Sequence, residues 1–122
     1  MVAALFDSNI VIDHLRGHEK ATAEIAKYDR RSISIITWIE VMSGAQTGDE
    51  AATSAVLAAF AIVPLEEKIA VRAVELRRVY RMKLPDAVIW ASAQRLGRLL
   101  VTRNAKDFPK NDPGIRVPYK LS

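Results

Sequence analysis

Short apolar runs alternate with longer helical patterns along the chain. Five runs are predicted to form strands, at residues 2–6, 33–36, 61–63, 99–102 and 115–117. Several are too apolar for a strand with one solvated face, so we expect helices on both faces of the sheet. Between the runs, the periodicity predicts helices at residues 10–15, 21–28, 38–45, 49–60, 66–81 and 86–96. This alternation predicts an α/β fold with a parallel sheet.

The composition fits one compact domain over residues 1–122. Half of the residues are apolar and 26% are charged, which is typical of a globular protein and too apolar for a disordered tail. The chain has no cysteine. This excludes disulfides, thiolate nucleophiles and cysteine-ligated zinc or iron–sulfur sites, and it is compatible with a reducing cytoplasm.

Membrane insertion is not expected. The longest apolar run, residues 55–65, falls well short of the ~20 residues that span a bilayer. Residues 1–6 are apolar, but no Lys or Arg precedes them and Asp7 follows, so they predict a first strand and not a secretory signal.

The charge is modestly basic, with 18 Lys and Arg against 14 Asp and Glu, a net +4 that favours polyanionic partners such as nucleic acid. The predicted helix 66–81 has an apolar stripe at Ile69, Ala73, Leu76 and Tyr80. Its other positions and the residues just after it are largely basic: Lys68, Arg72, Arg77, Arg78, Arg81 and Lys83. Such a face is either solvated or contacts phosphates, and the sequence leaves both open.

Four carboxylates stand at strand ends or helix starts: Asp7, Glu40, Asp86 and Asp107. Each has an ordinary explanation when it is taken alone. Asp7 has the position of a helix N-cap, and Glu40 follows Thr37 at capping-box spacing. Asp86 follows a proline in a first helical turn, where the helix dipole favours an acid, and Asp107 fits an exposed turn.

Taken together, the four carboxylates indicate a site. Loops at the carboxyl ends of neighbouring parallel strands line one crevice, and Asp86 shares a helical face with Ile89 and Trp90, which directs it inward. Two carboxylates about 5 Å apart would repel by roughly 3 kcal/mol at an effective dielectric near 20. A hard divalent cation, Mg²⁺ or Mn²⁺, is the natural partner for such a cluster.

Other chemistries find little support. His14 and His18 have no third ligand for zinc, and the chain contains no Gly-rich phosphate loop and no GxSxG motif. Polar residues near the carboxylates are either hydrogen-bond partners that hold them or closers of turns: Ser8, Asn9, Ser43, Thr102 and Asn104.

Four blocks of sequence resemble the PIN-domain family, and more narrowly the VapC-type toxins of bacterial type II toxin–antitoxin pairs. The blocks are LFDSNIVID at residues 5–13, ITWIEVMSG at 36–44, LPDAVIWA at 84–91 and LVTRNAKDF at 100–108. Any one block is a weak signal, whereas four in family order over nearly the whole chain are specific.

The resemblance implies a three-layer α/β/α fold with five parallel strands in the order 3-2-1-4-5. It also implies Mg²⁺- or Mn²⁺-dependent RNA hydrolysis, with Asp7 and Asp86 as the strongest metal-binding matches and Glu40 and Asp107 completing the catalytic set. Many relatives have an aspartate where this chain has Asn104, so either Asp107 alone supplies the last carboxylate or Asn104 holds a water beside it. Removal of Asp7 or Asp86 is expected to abolish cleavage and to leave the fold intact or more stable.

The resemblance further implies a homodimer and a VapB-like antitoxin that occupies the crevice, giving a heterotetramer or a larger assembly in the cytoplasm. Two rival classes are weighed against the nuclease. A non-catalytic PIN-like module that binds RNA or protein is disfavoured because all four carboxylate positions are filled. A phospho-acceptor domain is disfavoured because the predicted strand 99–102 is followed by Arg103 and Asn104, with no lysine.

Overall fold

The computed structural model describes residues 2–109 and 111–121. A five-stranded sheet forms its centre. The strands are β1 (Ala3–Phe6), β2 (Arg30–Ser34), β3 (Ala61–Val63), β4 (Leu99–Val101) and β5 (Ile115–Arg116). All pairs are parallel and the order is β3-β2-β1-β4-β5, which confirms the predicted sheet and the strand order that the resemblance implies.

Six α-helices surround the sheet in the described residues. They are α1 (Ser8–Leu15), α2 (Glu19–Ala26), α3 (Ile35–Ser43), α4 (Glu50–Leu57), α5 (Glu67–Tyr80) and α6 (Leu84–Leu96). A short 3-10 helix, Ala105–Asp107, follows β4 where the sequence predicts a loop over residues 106–114. Lys110, within that predicted loop, lies outside the described residues. None of the described helices is long and apolar enough to cross a membrane.

Two hydrophobic cores lie on opposite faces of the sheet. Because successive side chains of a strand point to opposite faces, Leu5 packs into the core formed with α5 and α6, whereas Phe6 packs into the core formed with α1, α2 and α4. Trp90 is the largest fully buried side chain, and its ring lies 5.5 Å from that of Tyr80. Tyr80 was predicted to be part of the buried stripe of α5 but is 47% exposed.

The boundary between β2 and α3 lies earlier than the sequence predicts. The strand predicted at 33–36 is observed at Arg30–Ser34, and the helix predicted at 38–45 begins at Ile35. Ser34 sets this boundary because its hydroxyl accepts a hydrogen bond of 3.1 Å from the backbone N–H of Ile36. Thr37 is therefore inside the helix and is not its cap, so the capping-box explanation of Glu40 is wrong.

Candidate active site

Asp7 lies between the end of β1 and the start of α1, where it is the helix N-cap and is almost fully buried. Its Oδ1 accepts a hydrogen bond of 2.7 Å from the backbone N–H of Ser8. Its Oδ2 accepts one of 2.8 Å from the Thr102 hydroxyl and one of 3.3 Å from the Asn9 side-chain amide. The capping role and a place in the crevice are thus compatible, since both follow from the position directly after β1.

Thr102 and Asn9 connect Asp7 to the loop after β4. Because β1 and β4 are adjacent parallel strands, their ends meet at one edge of the sheet. Thr102 Oγ1 also accepts a hydrogen bond of 3.1 Å from the backbone N–H of Asn104, and Asn9 Oδ1 accepts one of 3.1 Å from the N–H of Arg103. The position of this loop relative to Asp7 is therefore fixed by two side chains.

Glu40 projects from α3 toward the same edge through a contact with Ser8. The Ser8 hydroxyl lies 2.7 Å from Glu40 Oε1 and 3.0 Å from Thr37 Oγ1. Since a hydroxyl has a single proton, Ser8 donates to the carboxylate and accepts from Thr37. Ser43, on the other hand, is exposed at the end of α3 and has no side-chain hydrogen bond to any described residue.

Asp86 lies in the first turn of α6, next to Pro85, and is half-buried. No described residue forms a hydrogen bond or an ion pair with its carboxylate. Burial raises its pKa to about 6, and the negative charges of Asp7, Asp107 and Glu40 contribute to the increase while Lys83 opposes it. Asp86 therefore holds a proton unusually well and favours a positively charged neighbour.

Asp107 lies at the end of the 3-10 helix and accepts a hydrogen bond from the side-chain amide of Asn104. Burial also raises the pKa of Asp7, against the hydrogen bonds from Thr102 and Ser8, and the charges of Glu40 and Asp107 raise it further. The four predicted carboxylates thus lie within electrostatic reach of one another. Across residues 2–109 and 111–121, however, no three His, Asp or Glu side chains are arranged as a ready set of metal ligands.

A buried ion pair beside this site was not predicted from the sequence. The Asp13 carboxylate in α1, 1% exposed, accepts hydrogen bonds of 2.7 Å and 3.1 Å from the Arg103 guanidinium and one of 2.7 Å from the Tyr119 hydroxyl. Burial by itself would raise the pKa of Asp13, but these hydrogen bonds outweigh it and hold that pKa below its usual value. About 90 positions of sequence separate Asp13 from Arg103, and no local pattern connects them.

A second pair with the same chemistry lies away from the carboxylates. Glu24 in α2 accepts hydrogen bonds of 2.7 Å and 3.0 Å from Arg116 and one of 2.7 Å from the Tyr28 hydroxyl. The hydrogen bond from Arg116 is the main reason that the pKa of Glu24 falls to about 2. This second pair connects α2 to β5, and the side chains of Glu24 and Arg116 form no hydrogen bond or ion pair with the four carboxylates.

The fold is that of a PIN domain, and residues 4–112 match that family. The chain belongs to the PIN-domain family, and its relatives place it among the VapC-type members. It is 33% identical over 125 aligned positions to Ribonuclease VapC10 from Mycobacterium tuberculosis, covering 96% of this chain and 93% of the relative.

Solved structures of toxin–antitoxin complexes contain chains with the same fold. A toxin–antitoxin complex from Klebsiella pneumoniae contains a chain with a TM-score of 0.92 and 43% identity, covering 98% of this chain and all of that one. VapBC2 from Rickettsia felis, bound to a DNA fragment from its promoter, matches with a TM-score of 0.74 and 22% identity over 94% of this chain and 96% of that one. The second likeness supports the fold alone.

Proposed function

We propose that this protein is a Mg²⁺-dependent endoribonuclease and the toxin of a type II toxin–antitoxin pair. The observation that carries the proposal is the half-buried Asp86 carboxylate, which has no hydrogen-bond partner among the described residues and faces the charges of three other acids. Folding such a cluster costs free energy unless a cation offsets the repulsion. The similarity to Ribonuclease VapC10 supports hydrolysis of RNA as the reaction.

The donor chemistry fits a hard divalent cation, because every candidate ligand is a carboxylate oxygen. Asp7 and Asp86 would hold the ion, and Glu40 and Asp107 would complete the set. When bound, the ion would supply the positive charge that polarises a phosphate and lowers the pKa of an attacking water.

The chain's own residues position the acids. Thr102 and the Ser8 N–H hold Asp7 in one orientation, the Ser8 hydroxyl holds Glu40, and the Asn104 amide holds Asp107. Each hydrogen bond is donated to a carboxylate oxygen, so each of these three acids is held as an acceptor. Preorganisation of this kind reduces the rearrangement needed when the site is loaded.

A partner antitoxin is supported by the Klebsiella pneumoniae complex and by a depression beside Glu40. The depression lies between α1, α3 and α4 and has an apolar wall that includes Ile12, Leu15 and Val41. A partner segment that fills it would lie against Glu40 and obstruct the acidic edge. We propose that an antitoxin of the VapB type binds there, in the cytoplasm, to a homodimer of the toxin.

The test is cleavage of total cellular RNA by partner-free protein, with Mg²⁺ or Mn²⁺, with chelator, and with the Asp7→Asn variant. Discrete fragments that require both the metal and Asp7 would support the nuclease. No cleavage by a folded, metal-supplemented sample that still binds RNA would favour a non-catalytic binding module.

A further inference from the structure

The two ends of the hairpin formed by α5 and α6 differ in how their arginines are paired. Toward the end where α5 begins and α6 ends, Arg95 forms an ion pair of 3.2 Å with Glu66, and Arg72 forms one of 3.6 Å with Glu75. At the turn between α5 and α6, no described acidic residue forms an ion pair with any of the basic side chains, which are Arg77, Arg78, Arg81 and Lys83. The positive charge of the hairpin is therefore concentrated at one end.

The unpaired end is also the end that carries Asp86. Lys83 is the N-cap residue of α6 and acts electrostatically on the Asp86 carboxylate three residues later. Next to it, a surface depression is lined by Val74, Arg77, Arg78, Arg81 and Met82. Three guanidinium groups thus line a partly apolar hollow at the end of the hairpin that carries Asp86. We name these five residues with Lys83 the basic patch.

Arg81 has a backbone conformation that its side chain does not favour. It ends α5 in the left-handed region, with φ 56° and ψ 39°. Gly97 ends α6 in nearly the same conformation, with φ 63° and ψ 35°, and glycine adopts it without a steric penalty. The chain therefore keeps a guanidinium at this end of the hairpin in spite of the backbone strain.

We propose that the basic patch binds backbone phosphates of the RNA strand whose scissile bond enters the acidic site, an inference that rests on the proposed function. Four carboxylates repel a polyanion, so the binding energy must come from cations beside them. Guanidinium groups suit this role because their planar N–H donors match phosphate oxygens in pairs. Val74, which is 46% exposed, offers apolar surface on which a base or ribose can pack.

The test compares two double variants with the same change in charge. Arg78→Gln/Arg81→Gln removes two arginines of the basic patch, and Arg72→Gln/Arg95→Gln removes the two paired arginines at the other end. Both are made in an Asp7→Asn background to prevent cleavage, and binding of a fluorescent single-stranded RNA is followed by anisotropy at several salt concentrations.

The first double variant is expected to bind RNA at least about 10-fold more weakly at 0.1 M salt. The slope of log affinity against log salt should fall by about 1.4, since each lost phosphate contact on a single strand contributes about 0.7. The control should remain within about 2-fold of its parent. Equal losses in both variants, or none in either, would overturn the proposal.

Single substitutions at Arg81 separate charge from backbone strain. Arg81→Gly is expected to raise the Tm by a few degrees and to weaken RNA binding, whereas Arg81→Lys should retain most of the affinity. If Arg81→Gly binds RNA normally but no longer binds an acidic protein, the basic patch would serve a protein partner. That result would also overturn the proposal. Failure of the unsubstituted protein to bind or cleave any RNA would instead refute the proposed function.

Discussion

The guanidinium of Arg103 forms two hydrogen bonds, of 2.7 Å and 3.1 Å, to the buried carboxylate of Asp13 in α1. The backbone N–H of Arg103 is bonded at the same time to Asn9, a neighbour of Asp7. One residue therefore ties the loop that carries Asn104 and Asp107 both to α1 and to the surroundings of Asp7. Tyr119 extends this connection to the C-terminal segment.

We predict that Arg103→Gln disturbs the acidic site, whereas Arg116→Gln destabilises the protein to a similar degree without doing so. Each substitution leaves a buried acid without its arginine, at a cost of about 2–4 kcal/mol, because both guanidinium groups are partly exposed. Only Arg103→Gln should increase hydrogen exchange at the amides of residues 103 and 104 and lower cleavage by about 10–100-fold.

If neither arginine variant folds, Tyr119→Phe and Tyr28→Phe provide a milder pair. Each removes one hydroxyl bonded to a buried carboxylate, at Asp13 and Glu24 respectively, at about 1–2 kcal/mol. Exchange at residues 103 and 104 should rise more in Tyr119→Phe than in Tyr28→Phe, and equal exchange would show that the Tyr119 hydroxyl does not help Asp13 to hold this loop.

A second prediction concerns the stability of the metal-free protein. The folded-state pKa of Asp86, about 6, lies above its ordinary value of 3.8, so the folded protein binds this proton more tightly than the unfolded chain. The contribution of Asp86 to stability is therefore largest at acid pH and declines as pH rises from about 4 to about 6. Asp86→Asn should then raise the Tm at pH 7.5 by about 3–8 °C, a gain of about 1–2 kcal/mol, with little effect near pH 4.

The same variant is expected to lose RNA cleavage and the stabilisation that Mg²⁺ gives to the unsubstituted protein, measured by thermal unfolding with and without the ion. Unfolding of Asp86→Asn at neutral pH, or cleavage at the normal rate, would show that Asp86 has another role.

Ser8→Ala tests how Glu40 is positioned. The substitution removes the hydroxyl that donates to Glu40 and accepts from Thr37, so cleavage should fall by about 10-fold or more while stability changes by about 1 kcal/mol. Ser43→Ala, in the same helix as Glu40 but exposed, is the matched control and should retain full activity. A Ser8→Ala enzyme with the activity of the control would show that Glu40 does not need this hydrogen bond.

The apolar depression beside Glu40 predicts where the antitoxin binds. Leu15→Asp places a charge in this depression and should prevent copurification with a coexpressed VapB-type antitoxin. Leu121→Asp changes a similarly exposed leucine that does not line the depression, and it should leave the complex intact. Copurification of both variants would place the antitoxin elsewhere.

The sequence by itself determined the class of fold, and it predicted Asp86 and the three acids that the structure brings within electrostatic reach of it. Apolar runs and helical periodicity are properties of residues that are close in sequence. The ends of β1, β3 and β4 could therefore be predicted to within one residue. The boundary at Ser34 could not, because Ile33, Ile35 and Ile36 are equally compatible with a strand and with a helix, and the hydrogen bond that ends β2 is invisible in the pattern.

Only the tertiary structure decided which polar groups meet. The bond between Thr102 and Asp7 spans 95 positions, and the contact of Tyr119 with Asp13 spans 106. Such contacts are created by strand order and helix packing, which bring distant segments to one edge of the sheet. The ion pair of Arg95 with Glu66 likewise depends on how α5 lies against α6, whereas the pair of Arg72 with Glu75 is local to α5.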